Sequence, residues 1–122
     1  MFKSFAFPQN SRLRTSAEFS TVQKTGDKLY AKHFLILARP GMTPNSRLGI
    51  TITTKVNKRA VVRNLLKRRI RELFRIHKHN LRDIFDIVVI ARKNADELTF
   101  AEIKRQILGT LKHKGYLLSA QS

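Results

Sequence analysis

The chain has 122 residues, a length that suits one domain. Its charge is strongly one-sided, with 25 lysines and arginines against 8 acidic residues and a formal net charge of +17. Such a charge repels itself in the compact state, so it indicates an anionic partner: nucleic acid first, a membrane surface second. Because there is no cysteine, the sequence excludes disulfides, thiolate nucleophiles and cysteine-based zinc sites.

The N-terminal segment and the apolar runs show whether the sequence predicts a signal sequence or a membrane span. Lys3 and Pro8 interrupt the opening MFKSFAFPQN, which is too short an apolar stretch for a signal sequence. The longest apolar runs, FLILA and IVVIA, have the length of strands and not of a membrane span. We therefore expect a cytoplasmic, soluble protein with no membrane partner. We expect one domain over residues 1–122, with flexible ends at about 1–10 and 118–122.

The first elements are a short helix and a strand. Thr15 and Glu18 have the spacing of a capping box that starts a helix, and Gly26 is placed to end it. Phe19 and Val22 give this helix one narrow apolar edge. Residues 30–39 then form an apolar strand, and the prolines and glycine of PGMTPN mark a turn.

The segment RLGITITTKV predicts a second strand with two different faces. One face carries Leu48, Ile50 and Ile52. The other carries Thr51, Thr53 and Lys55. We expect this strand to form an antiparallel hairpin with the strand at residues 30–39. The threonine and lysine face would then be open to water or to a ligand.

The segment RAVVRNLLKRRIRELFR, residues 59–75, is patterned as a two-sided helix. Asn57 is the predicted N-cap of a helix from Lys58 to about His77. At about 100° per residue, one face is apolar: Val62, Leu65, Leu66, Ile70, Leu73 and Ile76, with Phe74 at its edge. The opposite side is polar and cationic: Asn64, Lys67, Arg68, Arg71 and Arg75, with Arg63 at the border near the first turn.

The cations of this helix indicate phosphate. Glu72 is the one acidic residue between Lys55 and Arg82, so the helix cannot neutralise its own charge. Charge runs are usually solvated faces, but solvated faces normally mix both signs. Arginines of one sign are better explained by phosphate, because a guanidinium group matches two phosphate oxygens at once. A lipid surface is less favoured, since the apolar face is needed to cover the sheet.

Two more elements close the chain. FDIVVIAR is a buried-strand signal. Thr99 and Glu102 form a second capping box, and the apolar residues Phe100, Ile103, Ile107 and Leu111 follow at helical spacing. The predicted order is α-β-β-α-β-α, with strands on either side of the basic helix that could pair in parallel. This order indicates an α+β fold, with helices packed over a small sheet.

No protein active site emerges from the residues. His77 and His79 are two apart and diverge on a helix, whereas a chelating pair is four apart. His33 and His113 are isolated, and the acids are too scattered for a two-metal nuclease. We expect no catalytic residue and no metal ligand. By residue type alone, Phe19 is favoured as a core anchor over a stacking surface for single-stranded nucleotides.

The pattern A-V-x-R-N-x-x-K-R-x-x-R-E-x-F-R, at residues 60–75, resembles the signature of the bacterial ribonuclease P protein subunit. RLRTSAEFSTVQKTG is similar to the family's first helix, and RLGITITTKV to the strand before the signature. The resemblance implies a fold like the second domain of ribosomal protein S5, with a left-handed β-α-β crossover. It also implies a protein that assists a ribozyme: the RNA subunit, with Mg²⁺, removes the 5′ leader of precursor tRNA.

The resemblance also assigns residues to two RNA partners. Five would contact the catalytic RNA near the cleavage site: Arg63, Asn64, Lys67, Arg68 and Arg71. Six would bind the leader in a groove between the first helix and the exposed sheet face: Phe19, Thr51, Thr53 and Lys55, with Arg12 and Arg14 at its mouth. The resemblance thus moves Phe19 from core to groove. Gln23 and Leu37 stand where some members carry aromatics, and Thr54 where many carry a lysine.

Three functions remain to be compared. The first is the protein cofactor of ribonuclease P. The second is a structural ribosomal protein, which would need the basic helix but not the aligned surface of Phe19, Thr51, Thr53 and Lys55. The third is a nuclease in its own right, which would cleave RNA without an RNA subunit.

Overall fold

This computed structural model describes residues 11–118, which contain three α-helices, two short 3-10 helices and four strands. The helices are α1 (Ser16–Thr25), α2 (Ala60–His77) and α3 (Phe100–His113). The strands are β1 (Asp27–Tyr30), β2 (Phe34–Pro40), β3 (Arg47–Thr51) and β4 (Phe85–Ala91). The α+β class predicted from the sequence is confirmed. The ends expected to be flexible lie outside the described residues, except for Leu118, whose backbone N–H donates to the carbonyl of Asn80.

The strands form one sheet in the order β1-β2-β4-β3. β2 is antiparallel to both β1 and β4, and β3 runs parallel to β4. The predicted hairpin between β2 and β3 is therefore wrong, because β4 lies between them. The parallel pair joined through α2 was foreseen as a possibility in the sequence. The left-handed sense of this crossover stays a prediction.

The hairpin of the sheet is instead β1 with β2, and β1 was missed. Residues 30–39 were expected to be one strand, but the chain turns after Tyr30 and resumes at Phe34. A hydrogen bond of 2.9 Å from Ala31 N–H to Phe34 O closes this turn. β1 carries Asp27 and Lys28, which are uncommon in strands, so it gave little sequence signal.

The two faces of the sheet are covered by different helices. α2 and α3 pack on one face and bury Ile36, Ile87 and Val89. α1 packs on the other face, where Val22 meets Leu37 and Val88. β4 is therefore buried on both sides, which explains its continuous apolar run.

Local signals place two helix starts correctly and one incorrectly. The capping boxes of α1 and α3, at Thr15–Glu18 and Thr99–Glu102, are both formed. α2 begins at Ala60, two residues later than predicted, and its N-cap is Arg59. The Asn57 side chain accepts a hydrogen bond from Arg59 N–H and donates to Asp96. It therefore orders the loop before the helix.

The apolar face of α2 is narrower than predicted. Leu66, Ile70 and Leu73 are buried, and Phe74, placed at the edge, is buried with them. Leu65 and Ile76 are exposed, because the sheet and α3 cover only the central part of the apolar arc. On α3, Phe100 is likewise exposed while the later apolar residues are buried. Within residues 11–118, no helix combines the length and apolarity needed to cross a membrane.

Candidate nucleic-acid interface

The outer side of α2 carries the polar and cationic residues that the sequence placed there. We call Asn64, Lys67, Arg68 and Arg71 the basic strip. Asn64 and Arg68 are exposed, and Lys67 and Arg71 are partly buried. Arg75 belongs to the same side, but Glu72 binds its guanidinium at 2.6 Å. The basic strip therefore leaves its cations at least partly accessible, while Arg75 forms a local ion pair.

Arg63 lies at the N-terminal end of α2, at the border that the sequence indicated. Its Nη1 donates to the carbonyl oxygens of Asn57 at 3.0 Å and Lys58 at 2.9 Å. One edge of its guanidinium thus holds the loop that leads into the helix.

A groove runs between α1, β3 and α2. We call it the Phe19 groove; its cavity has a volume of about 110 Å³. It is lined by Arg12, Leu13, Phe19, Leu48, Gly49, Ile50, Lys67 and Arg71. It therefore brings Arg12 and Phe19, expected to bind the leader, beside Lys67 and Arg71, expected to bind the catalytic RNA.

Phe19 serves both the core and the groove. Its ring is partly buried against the cluster that includes Leu13 and Val22. It also lies on β3 at Gly49, where an added Cβ would come within 2.6 Å of the ring. Glycine at this position allows the ring to lie close against the strand. Neither sequence interpretation of Phe19 alone was sufficient.

The cations around the groove repel one another. Partial burial, and then the positive charges of Arg12 and Arg68, lower the pKa of Arg71. An anion placed among these groups would relieve that repulsion and supply acceptors for several N–H donors. The walls of the groove are thus electrostatically suited to phosphate, while Phe19 offers an aromatic edge.

The sheet face on which α1 packs extends beyond the helix, and there one row of residues is less covered. The register aligns Thr51 with Ile90, Ile90 with Leu35, and Leu35 with Tyr30. We call these four residues the open row. Tyr30 is exposed and the other three are partly buried, in contrast to the neighbouring Val88 beneath α1. Sequence alternation had found Thr51 but not its three neighbours, which belong to other strands.

Thr53 and Lys55 lie beyond the end of β3. The strand stops at Thr51, whereas the sequence predicted that it continues through Lys55. Val56 N–H donates to Thr53 O at 3.0 Å, which closes a turn, and Lys55 N–H donates to Thr53 Oγ1 at 3.3 Å. Both side chains are exposed, but they leave the row that Thr51 begins. Their predicted place on the strand face is therefore wrong.

Arg12 and Arg14, the two arginines expected at the mouth of the groove, differ in the cavities that they line. Arg12 lines the Phe19 groove and also a second cavity of about 370 Å³, on the other side of the N-terminus of α1. Arg14 lines only the second cavity, together with Thr43, Asn45 and Arg47. The structure therefore keeps Arg12 with Phe19 and separates Arg14 from them.

A buried ion pair that the sequence did not reveal holds α1 to the sheet. Arg47 on β3 donates to both carboxylate oxygens of Asp86 on β4, at 3.1 and 2.9 Å. Its third donor reaches Glu18 Oε2 at 2.9 Å. The hydrogen bond with Asp86 raises the pKa of Arg47. The pair thus fixes the helix that carries Phe19.

Other acids and histidines are used in tertiary contacts away from the groove. Asp27 accepts a hydrogen bond of 2.6 Å from the Tyr116 hydroxyl, and His33 Nδ1 lies 2.9 Å from Gln106. Across residues 11–118, no three acidic or histidine side chains are grouped so that they could hold a metal ion.

Comparison with known proteins decides the family. The family model described as ribonuclease P matches residues 7–115. The chain belongs to the ribonuclease P protein family. The ribonuclease P protein component of Desulfovibrio desulfuricans is 33% identical, over 98% of this chain and 95% of the relative.

Solved structures of ribonuclease P proteins agree with this assignment. That of Staphylococcus aureus superposes with a TM-score of 0.80 at 31% identity, over 88% of this chain and 97% of that protein. That of Thermotoga maritima gives a TM-score of 0.74 at 38% identity, over 84% and 96%. The resemblance read from residues 60–75 is confirmed. Family membership also confirms the predicted terms tRNA processing and ribonucleoprotein.

Proposed function

We propose that this ribonuclease P protein binds the catalytic RNA through Arg63 and the basic strip, and the 5′ leader of precursor tRNA through the Phe19 groove and the adjoining Thr51 of β3. One observation carries the proposal. The Phe19 groove joins the aromatic edge of Phe19, on α1, to Arg12 from the segment before α1 and to two cations of α2 in one cavity. An aromatic beside a basic groove is the arrangement that binds single-stranded nucleic acid with little sequence preference.

The chemistry in this proposal belongs to the RNA. The protein has no catalytic residue and needs no cofactor of its own; Mg²⁺ acts through the RNA subunit, which removes the leader in the cytoplasm. Arg68 and Arg71 neutralise phosphates where the catalytic RNA and the leader meet, and Thr51 follows directly after Ile50, which lines the groove. Arg14, Thr53 and Lys55 are exposed outside the groove lining and would contact the RNA backbone there.

The groove also separates this function from the two alternatives. A structural ribosomal protein would need the basic strip but has no use for an aromatic edge placed beside it. A nuclease acting alone would cleave precursor tRNA without an RNA subunit. Both alternatives are outcomes of a single reconstitution.

The test mixes the protein with a bacterial ribonuclease P RNA and precursor tRNA at low magnesium, and follows leader release. We expect strong stimulation over the RNA alone and no cleavage by the protein alone. Absence of stimulation would refute the proposal, and cleavage by the protein alone would support the nuclease. Binding of precursor and mature tRNA to the reconstituted enzyme is measured in parallel.

Phe19→Ala tests the groove within this assay. Base–aromatic stacking contributes about 1–3 kcal/mol, so we expect precursor tRNA to bind about 5- to 150-fold more weakly and mature tRNA to bind as before. Phe100→Ala is the matched control, because Phe100 is an exposed aromatic on α3 that does not line the groove. Equal losses for both tRNAs would show that Phe19 does not touch the leader.

A further inference from the structure

Tyr30 is an aromatic residue that the fold leaves uncovered. It ends β1, the edge strand of the sheet, and 66% of its surface is exposed. The other tyrosine, Tyr116, packs edge-on against Phe85 and bonds to Asp27. A single exposed aromatic is ordinary on a protein surface. Tyr30 is a candidate binding residue because of its position relative to the Phe19 groove.

Tyr30 continues the surface that begins at the Phe19 groove. It pairs with Leu35, which pairs with Ile90, so its ring lies on the face of the sheet that α1 leaves open. From Thr51 on β3 to Tyr30 on β1 the row crosses three strand spacings, about 14 Å. A partly apolar row of the sheet face therefore joins β3, the strand that borders the groove, to an exposed ring.

A cation stands beside that ring. Lys28 is two residues before Tyr30 on the same strand, so both side chains point to the same face. Lys28 is exposed and pairs with Leu37, next to the part of the face that α1 covers. A base can stack on the tyrosine while the ammonium group meets a phosphate, which is the combination used by single-strand binding surfaces.

We propose that Tyr30 and Lys28 form a second binding position for the single-stranded leader, farther from the cleavage site than Phe19. The inference rests on the proposed function, because the cations of α2 mark the end of the path nearest the cleavage site. The leader then crosses the sheet from β3 to β1, with Phe19 contacting an early nucleotide and Tyr30 a later one.

The test is a series of precursor tRNAs whose leaders are lengthened one nucleotide at a time, bound to the reconstituted enzyme. For the unchanged protein, affinity should rise until the leader reaches Tyr30. For Tyr30→Ala the rise should stop earlier, with a loss of about 5-fold or more on long leaders and none on short leaders or mature tRNA. Tyr30→Phe keeps the ring and should behave as the unchanged protein, as should Phe100→Ala.

The outcomes separate this inference from the proposed function. If Phe19→Ala weakens leader binding while Tyr30→Ala behaves as the unchanged protein at every length, the second position is refuted and the groove stands. If Tyr30→Ala weakens mature and precursor tRNA equally, the ring touches another part of the RNA, and the inference is also refuted. If neither variant responds to the leader, the proposed function itself fails.

Lys28→Ala provides an independent reading. Loss of one phosphate contact on a single strand should make the slope of log affinity against log salt shallower by about 0.7. This change should appear only with long leaders. A slope that does not change, or that changes equally with short leaders, would remove Lys28 from the second position.

Discussion

Replacing Asp86 by alanine tests the buried ion pair that fixes α1. Asp86 is 0% exposed and Arg47 is 7% exposed, and two hydrogen bonds join their side chains. Hydrogen bonds to charged groups contribute about 1.5–3 kcal/mol each, and removing one partner of a buried pair costs about 3–5 kcal/mol. We therefore expect Asp86→Ala to lower the free energy of unfolding by about 3–5 kcal/mol.

Urea unfolding followed by circular dichroism measures this loss. Asp83→Ala is the matched control: Asp83 is exposed and its carboxylate accepts a hydrogen bond from the neighbouring Ile84 N–H, so we expect a change within about 1 kcal/mol. Replacing both partners, as Arg47→Met with Asp86→Leu, should recover much of the loss because no buried charge is then left alone. A loss below about 1 kcal/mol for Asp86→Ala would mean that the Arg47 charge regains water or relies on Glu18 alone, and would refute the reasoning.

Three further predictions concern charge. Arg68→Ala should weaken binding of the catalytic RNA and make the slope of log affinity against log salt shallower by about 0.7–0.9. The control variant Arg105→Ala, on α3, should change neither the affinity nor the slope. Equal slopes for the two variants would contradict a phosphate contact at Arg68. Hydrogen bonds from two backbone N–H groups lower the pKa of Glu18 in the folded protein below its unfolded value of 4.5. The ionised Glu18 therefore contributes to the free energy of unfolding above pH 4.5, and this contribution is lost as the pH falls through the pKa of the folded state. The urea midpoint of Glu18→Gln should therefore fall less steeply with decreasing pH, below pH 4.5, than that of the unchanged protein. Parallel curves of midpoint against pH for the two proteins would exclude this contribution. Burial, and then the bond to Asp27, raise the pKa of Tyr116 from 10.0 to about 12, so the unfolded state loses its proton first and stability falls between these values. Tyr116→Phe should remove that part of the fall, and an unchanged alkaline limb would show that Tyr116 does not cause it.

Features that depend only on residues close together in the sequence could be predicted from it. The capping boxes at Thr15 and Thr99 formed because the donor and acceptor are three residues apart and meet in the first helical turn. The basic strip appeared where helical periodicity placed it, since every member is fixed by the 3.6-residue repeat. The predicted N-cap at Asn57 is wrong because its Oδ1 accepts from Arg59 N–H within the loop and the helix begins only at Ala60; no local pattern indicates that its amide group donates to the distant Asp96.

Strand pairing could not be read in the same way. β2 and β3 are neighbours in sequence, but the two-sided burial of β4 makes it the central partner of both. The pairing of Arg47 with Asp86 follows from this order, because the register sets the two residues opposite each other on β3 and β4. No local pattern indicates it.

The sequence by itself determined that this protein carries a one-sided cationic helix on an apolar base, because charge and helical period are local properties of the chain. Only the tertiary structure decided that the helix borders a groove with Phe19, and that the strand at this groove begins a row of residues ending at Tyr30. The physical reason is that Phe19, Thr51, Ile90, Leu35 and Tyr30 come from five different elements. Their adjacency arises only when the strands have paired and α1 has settled over one half of the sheet face.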